Sequence, residues 1–204
     1  MKFFRKINKG LILTIIVLIV LTAYLVGLES FRNSQKENIK KACVDYIELK
    51  NSYAMLPEEY RTVNKDISTD ELNKYIDTIK KDLSTHVISN DNVLNLETNS
   101  IKSSLQSQID SKNIITSYDK KIVDINSYSF EGDQVTVVLN NFYEKEVETI
   151  LEKTFDEATK SYINKTDKSK TSANTQDTII LKNESNEWKV VYSNIIDLQM
   201  IVKY

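Results

Sequence analysis

The sequence predicts an α+β fold, with an N-terminal transmembrane helix followed by helices packed on a curved antiparallel sheet. Three observations predict it. Residues 10–28 carry no charge and are mostly apolar, so they can cross a bilayer as one helix. Apolar residues then recur with a helical period as far as residue 109. From Ile114 the apolar residues alternate with polar ones, which is the period of a strand.

The apolar segment 10–28 is predicted to be a transmembrane helix and residues 1–9 a basic cytoplasmic tail. Basic residues precede the segment, whereas Glu29 and Arg32 follow it, so the positive-inside rule places the N-terminus in the cytoplasm and the rest outside. The alternative is a cleaved signal peptide. The apolar run is longer than the ~7 to 15 residues of such a peptide and lacks an A-x-A site. We therefore expect an uncleaved, single-pass protein of the cell membrane.

The charge balance disfavours nucleic acid as a partner. The chain has 27 basic and 29 acidic residues and a net charge of -2. Four of the basic residues lie in the tail, which leaves 23 against 29, or -6, for the rest. A net-acidic domain repels phosphate backbones. With 41% hydrophobic and 27% charged residues, that domain can still bury a core.

Single copies of cysteine and histidine limit the chemistry that is available. Cys43 has no second cysteine in this chain for a disulfide or thiolate cluster, and His86 lacks partners for a zinc site. Catalysis by a Ser/His or Cys/His set would depend on His86 alone, in a polar stretch typical of a surface or a helix end. We therefore expect no metal, no cofactor and no enzymatic activity.

Residues 29–38 are polar and are predicted to form a helical stalk, with an extracytoplasmic domain over residues 39–204. An amphipathic helix is predicted where apolar residues share one stripe. Its members are Ile39, Cys43, Tyr46, Ile47, Tyr53 and Ala54. Pro57 is expected to end this helix, because its ring does not fit a helix interior.

Two further helices are predicted before the sheet. Ser68 and Glu71 have the spacing of a capping box, which marks a helix start. The stripe after it comprises Leu72, Tyr75, Ile76, Ile79 and Leu83. A shorter stripe comprises Ile101, Leu105 and Ile109. The stretch 85–100 mixes strand-like and turn-like residues and predicts neither element.

A hairpin is predicted around Gly132. The apolar phase slips between Ile125 and Tyr128, which indicates a bulge or strong twist in the first strand. The segment "EGD" supplies the turn, and Val135 begins the alternation of the second strand.

Residues 144–163 predict a helix and residues 164–176 a polar loop. The predicted helix face comprises Val147, Ile150, Leu151, Phe155, Ala158 and Tyr162. A long strand is the alternative, but it would place Ile150 and Leu151 on opposite faces. The loop contains Lys165, Lys168 and Lys170, which could meet an acidic partner, although such loops are usually only solvated.

A closing hairpin is predicted at the end of the chain. Thr178 and Ile180 begin one strand, and "NESN" turns the chain. Trp188, Val190 and Tyr192 then alternate on one face, which makes Trp188 a structural anchor of the core.

The segment "ILKNESNEWKVV" resembles the closing hairpin of bacterial extracytoplasmic members of the nuclear transport factor 2-like superfamily. The resemblance covers residues 36–204 and implies a cone in which a curved sheet wraps around helices. Enzymes of that superfamily place an acid-base set inside the cone, and no motif of this chain matches such a set residue by residue. Tyr128, Tyr143 and Tyr192 are the candidates for lining a pocket of this kind.

The leading functional expectation is a non-enzymatic, membrane-anchored domain that makes protein contacts at the bacterial cell envelope, with other envelope proteins or with itself. Its layout is similar to that of the VirB-type inner-membrane scaffolds of secretion and conjugation systems. A second hypothesis is a small-ligand-binding or enzymatic domain that uses the pocket of the cone; it predicts a cavity with convergent polar groups and a perturbed carboxylate or tyrosine. A third, nucleic-acid contact through Lys165–Lys170, is disfavoured by the acidic balance.

Overall fold

The computed structural model describes residues 9–63 and 65–203. The predicted cytoplasmic tail lies outside the described residues except for Lys9. The chain divides into two compact units, one as far as Lys40 and one from Lys41 onwards.

Helix α1, Lys9–Ser52, contains the predicted apolar segment. An 18-residue window of it has a mean hydropathy of 2.9 and is 0% buried. The hydroxyls of Thr14 and Thr22 donate to the carbonyls of Gly10 and Leu18, at 3.0 and 2.8 Å, so each finds an acceptor within the helix. The helix is therefore long and apolar enough to cross a membrane, as a membrane anchor or a signal sequence would be.

The C-terminal part of α1 buries four of the six residues of the predicted stripe, whereas Tyr53 and Ala54 lie beyond the end of the helix and are half-buried. Cys43, Tyr46 and Ile47 are all buried. Burial raises the pKa of the Cys43 thiol to about 12, which agrees with its predicted place on the apolar stripe of the helix. The helix ends at Ser52, and Pro57 caps a short 3-10 turn, Glu58–Tyr60.

Helix α2, Thr69–Leu83, begins at the predicted capping box. The Ser68 hydroxyl accepts a hydrogen bond from the Glu71 backbone N–H at 3.3 Å, and the Glu71 carboxylate accepts one from the Ser68 N–H at 3.0 Å. Four residues of the predicted second stripe are buried: Leu72, Ile76, Ile79 and Leu83. The predicted start and inner face of this helix are thus confirmed.

Helix α3, Asp91–Ser111, begins within the stretch that predicts no element. The Asn90 side chain caps it by accepting from the Asn92 backbone N–H at 2.9 Å. Ile101 and Leu105 of the predicted third stripe are buried. The helix ends at Lys112, whose φ of 52° lies in the left-handed region.

The four strands are β1, Asn113–Glu131, β2, Gln134–Asp156, β3, Ser161–Glu184, and β4, Glu187–Lys203. They form an antiparallel sheet in the order β1-β2-β3-β4. The predicted α+β class is confirmed, and the cone-like, nuclear transport factor 2-like form stays a prediction.

The first hairpin of the sheet follows the prediction. Gly132, with a φ of 59°, occupies the turn between β1 and β2. The register of β1 against β2 shifts between Ile125 and Ser127, where the apolar phase predicts a bulge. Val135 is fully buried, as are Val137 and Leu139 on the same face of β2.

The predicted helix over residues 144–163 is wrong. β2 continues to Asp156, and β3 starts at Ser161 after a turn that contains Lys160 with a φ of 52°. Residues 144–149 pair with both β1 and β3, and residues 150–156 pair with β3. This pairing overrides the helical spacing of the apolar residues, because tertiary context outweighs a local pattern. A register shift between Ile150 and Glu152 leaves Leu151 as an extra residue, so the strand accommodates two adjacent apolar side chains by a bulge.

The predicted loop over residues 164–176 is also wrong, because these residues belong to β3. Their lysines pair across to β2: Lys165 contacts Glu152 at 3.3 Å and Lys170 contacts Glu144 at 3.4 Å. A run of small polar residues therefore forms a strand, with acidic residues of its neighbour balancing its charge.

The far end of the β2–β3 hairpin extends beyond the rest of the sheet. β1 pairs with β2 only as far as Thr149, and the described part of β4 pairs with β3 only from Lys170 onwards. Among the described residues, residues 150–166 therefore pair only with each other, and residues 167–169 pair only with β2. We call residues 150–169 the β-arm.

The link between α2 and α3 lies beside β4. Val87 forms a parallel bridge with Val190. The Ile88 N–H donates to the Val190 carbonyl at 3.0 Å, and the Val190 N–H donates to the His86 carbonyl at 2.8 Å. The connection between the helices thus also secures the outer strand.

Candidate functional site

A cavity of about 190 Å³ lies between helices α1 and α3 and strands β1, β3 and β4. Its walls combine apolar side chains with polar and charged ones. The apolar part includes Ile47, Ile101 and Ile179, all of which are buried. The polar part is organised by two acid-base groups, one on the sheet and one between the helices and β4.

The first group is a buried ion pair between Lys120 of β1 and Asp177 of β3. The Lys120 ammonium donates to both Asp177 carboxylate oxygens, at 2.6 and 2.9 Å, and each side chain is only 5% exposed. The Thr175 hydroxyl donates to the same carboxylate at 3.3 Å, and the Asn51 amide donates to the Lys120 carbonyl at 2.7 Å. A pair this deeply buried costs desolvation energy, so its presence is weak evidence for stability and makes it a candidate for function.

The second group converges on the carboxylate of Glu97 in α3, which is buried. It accepts hydrogen bonds from the Tyr46 hydroxyl at 2.6 Å, from the Lys50 ammonium at 3.1 Å and from the Ser193 hydroxyl at 3.0 Å. Burial, and then the charge of Glu97, hold the pKa of Tyr46 well above its usual range. Tyr46 therefore stays protonated, and its hydroxyl donates a hydrogen bond to the Glu97 carboxylate.

A bulge in β4 turns Ser193 towards this group. Ile180 pairs with Tyr192 but Leu181 pairs with Val190, so Val191 is an extra residue. The alternation of β4 reverses there. Val190 is buried, Tyr192 is 52% exposed, and Ser193 lies 2.8 Å from the Tyr46 hydroxyl.

The three tyrosines predicted as pocket candidates do not line this cavity. Tyr143 is buried and stacks on Tyr118, which does line it, with ring centroids 5.8 Å apart. Tyr128 is half-buried on β1. Tyr192 is turned to the exposed face by the bulge, so its predicted face shared with Trp188 and Val190 is wrong.

Trp188 is half-buried rather than fully buried. It pairs with Asn183 next to the turn, where Ser185 and Asn186 have φ values of 53° and 72°. The fully covered apolar residues of the closing hairpin are instead Ile179, Leu181 and Val190. These aliphatic residues, rather than Trp188, therefore form the buried core of the closing hairpin.

The sequence interpretation missed the charged residues of the cavity. Lys120 and Asp177 are 57 positions apart, and Tyr46 and Glu97 are 51 apart. A local signal exists for Asp177, because it occupies the same strand face as Ile179 and Leu181, where a charge requires a partner. The sequence contains no comparable signal for the identity of that partner.

The side chain of Asn141 is a further buried polar group. It is 1% exposed, and neither its amide nitrogen nor its amide oxygen has a hydrogen-bond partner among the described residues. Asn141 pairs across the sheet with Thr175, which bonds Asp177. Within residues 9–63 and 65–203 there is no group of three His, Cys, Asp or Glu side chains that could hold a metal ion.

Comparison with known proteins adds little to this picture. No protein-family model matches the chain, and no curated protein matches it. One similar solved structure is the intermembrane space region of the chloroplast protein ARC6, which aligns with 65% of this chain and 99% of its own. The identity is 11% and the TM-score 0.33, a level of likeness that supports no conclusion on fold or function.

Proposed function

We propose that the chain is a non-enzymatic, single-pass membrane protein whose extracytoplasmic domain makes protein–protein contacts at the bacterial cell envelope. The observation that carries the proposal is the β-arm, which exposes large apolar side chains beyond the edge of the sheet. A membrane anchor would confine such a surface to one plane and raise the effective concentration of its partners.

The β-arm has the composition of a contact surface. Leu151 is 60% exposed, Phe155 51% and Tyr162 73%. Phe155 and Tyr162 pair across the hairpin and meet edge to face, with ring centroids 5.3 Å apart. Aromatic residues supply much of the binding energy in protein interfaces, whereas isolated exposed aromatics bring no benefit to solubility.

The charges of the β-arm favour a protein as its partner. Residues 150–169 contain four acidic and four basic residues, so the arm is formally neutral. Glu152 and Lys165 neutralise each other across the strands at 3.3 Å. A neutral surface has no net attraction for nucleic acid or anionic lipid, and binding must come from apolar contact and shape.

Within this class, the proposal includes a VirB-type scaffold component of a secretion or conjugation system. The support is the predicted layout: a basic cytoplasmic tail, one span and an α+β domain outside. This remains an analogy of architecture. Identification of a captured partner as a component of such a system would test it.

The orientation is tested by labelling introduced cysteines in intact cells with a membrane-impermeant maleimide. Cys43 is buried and unreactive, so it gives no background. We expect Ser161→Cys in the β-arm to react in intact cells and Asn8→Cys in the tail to react only after lysis. The opposite pattern, or a mature chain that begins beyond Leu28, would overturn the proposed location.

The contact surface is tested by in-cell photo-crosslinking. A photoreactive residue at Tyr162 is compared with one at Asn99, which is exposed on α3. We expect discrete adducts at Tyr162, with identified envelope proteins or a second copy of this chain, and their loss when Phe155→Ser is added. Adducts with lipid alone, or the same adducts from Asn99, would contradict the proposal.

A further inference from the structure

We propose that the cavity between α1, α3 and the sheet binds a small, uncharged amphipathic molecule, with a hydrocarbon body of roughly six to eight carbons and one oxygen atom that accepts hydrogen bonds. This site is separate from the β-arm, and the inference does not depend on the proposed protein contacts. Four features of the cavity support the inference: its volume, its apolar wall, its charge balance and its unused hydrogen-bond donors.

The volume fits a molecule of this size. The cavity measures about 190 Å³. An apolar cavity of ~150 Å³ is enough to admit benzene, so this one can hold a six-membered ring with one substituent.

The apolar wall is provided by isoleucines from three elements. Ile47 lies on α1, Ile101 on α3 and Ile179 on β3, and their exposed fractions are 5%, 6% and 1%. Branched aliphatic side chains on several sides match a saturated hydrocarbon body and exclude a highly hydrated ligand.

The charge balance favours an uncharged ligand. Lys50 is neutralised by Glu97 at 3.1 Å, and Lys120 by Asp177 at 2.6 Å. Two cations and two carboxylates therefore leave no net charge at the site. A charged ligand would bring a buried charge without a counterpart, which is costly.

Lys50 and Asn51 supply the wall with donors that are not used within the described residues. The Glu97 and Asp177 carboxylates each already accept three hydrogen bonds. The Lys50 ammonium has three N–H groups and, within the described residues, bonds only the Tyr46 hydroxyl and Glu97. The Asn51 amide uses one of its two N–H groups on the Lys120 carbonyl. A ligand oxygen that accepts hydrogen bonds is therefore a group that this wall can bind.

The test uses the full chain in lipid nanodiscs, with ¹³C-labelled isoleucine methyl groups, titrated with cyclohexanone, methylcyclohexane and cyclohexanecarboxylate. Cyclohexanone should shift the methyl signals of Ile47, Ile101 and Ile179. The signal of Ile79, which is buried in α2 away from the cavity, should not move. Methylcyclohexane should bind ~5-fold more weakly, for want of one hydrogen bond. The carboxylate should bind at least ~10-fold more weakly.

Two variants of α3 provide a matched control. Ser104 lines the cavity and Ser103 does not, and both are exposed. Ser104→Phe should abolish the cyclohexanone shifts, whereas Ser103→Phe should leave them unchanged. Lys50→Met should weaken cyclohexanone ~5-fold and leave methylcyclohexane unaffected, which separates loss of the donor from loss of the fold.

Five results would overturn the inference. The absence of specific shifts at any soluble concentration of the ketone, or equal shifts at Ile79, would show that the ketone does not bind in the cavity. Binding of the carboxylate as tightly as the ketone would contradict a preference for an uncharged ligand. Binding of methylcyclohexane as tightly as the ketone would contradict the hydrogen bond to the ligand oxygen. Unchanged ketone binding in Ser104→Phe would contradict the location of the site.

Discussion

Strands β2 and β3 bury alternate side chains at the end nearest the cavity and expose them at the β-arm. Leu139 is 0% exposed and Leu151, on the same strand, is 60% exposed. Both ends contain ion pairs between charged side chains, but Lys120–Asp177 is 5% exposed on each side whereas Lys165–Glu152 is 61% and 56% exposed. Backbone pairing is therefore sufficient to continue the two strands into the β-arm. Side chains of the sheet are buried only where helices α1 to α3 pack on it, and we call these helices the helix cover.

Removal of an ion pair should give the largest difference in the free energy of unfolding between the cavity end of the sheet and the β-arm. Asp177→Asn leaves the Lys120 ammonium buried without its counter-charge and should cost about 3 to 5 kcal/mol. Glu152→Gln in the β-arm should cost less than about 1 kcal/mol, because water already screens that pair. Chemical denaturation of the full-length variants in detergent micelles measures both.

An apolar replacement sharpens the same test. The double variant Lys120→Met with Asp177→Leu removes both charges together, so it should be within about 1 kcal/mol of the parent or more stable. If it is as unstable as Asp177→Asn, the pair contributes to stability directly. No functional role would then be needed to explain why the pair is buried.

The two leucines of β2 form a second matched comparison. Leu139→Ala should cost about 2 to 5 kcal/mol, since it opens a void in a covered core. Leu151→Ala should change the free energy of unfolding by no more than about 0.5 kcal/mol, because its side chain is exposed in the described chain. Equal effects in thermal melts would show that the β-arm is covered in the folded protein.

The helix cover can be loosened without touching the sheet. Ser68→Ala removes the side-chain cap of α2 and should cost about 1 kcal/mol. Hydrogen exchange should then rise first in α2, with protection of the β-arm unchanged. A rise of equal size in the β-arm would mean that the helices stabilise it after all.

The smallest effect expected is a pH dependence of the same cap. Hydrogen bonds from Ser68, and then from Tyr60, lower the pKa of Glu71 from 4.5 to about 2. Because the pKa is lower in the folded state, the stabilisation is complete above about pH 4.5 and is lost as the pH falls towards 2. Glu71→Ala should therefore be less stable than the parent at pH 7. The difference in the free energy of unfolding between the two proteins should decrease as the pH falls from about 4.5 to 2. Urea midpoints at several pH values measure it, and a gap independent of pH would contradict the assigned bonds.

The sequence predicts the helical half of the domain better than the sheet. The capping box at Ser68 and the inner face of α2 depend on residues within a few positions of each other, so periodicity is enough. The hairpin turn at Gly132 is equally local. These elements are confirmed.

The sequence pattern indicates a helix where the β-arm forms, and the cavity depends on contacts between residues far apart in the sequence. Residues 144–163 have a helical spacing of apolar side chains, yet pairing with β3 decides their structure. The partner of Asp177 lies on a strand that is not its neighbour in the sheet. The cavity itself arises only where α1, α3 and the bulge in β4 meet.

The short segment of chain beside Val190 has a consequence for how molecules of this protein meet. An outer strand whose backbone N–H and C=O groups lack hydrogen-bond partners can pair with another polypeptide and extend the sheet. Such pairing is the first step of fibrous aggregation. At Val190 the backbone N–H and C=O groups already form hydrogen bonds with His86 and Ile88. Another polypeptide therefore cannot pair with β4 at that point. The solubility of the folded domain thus depends in part on residues 86–88, which join α2 to α3.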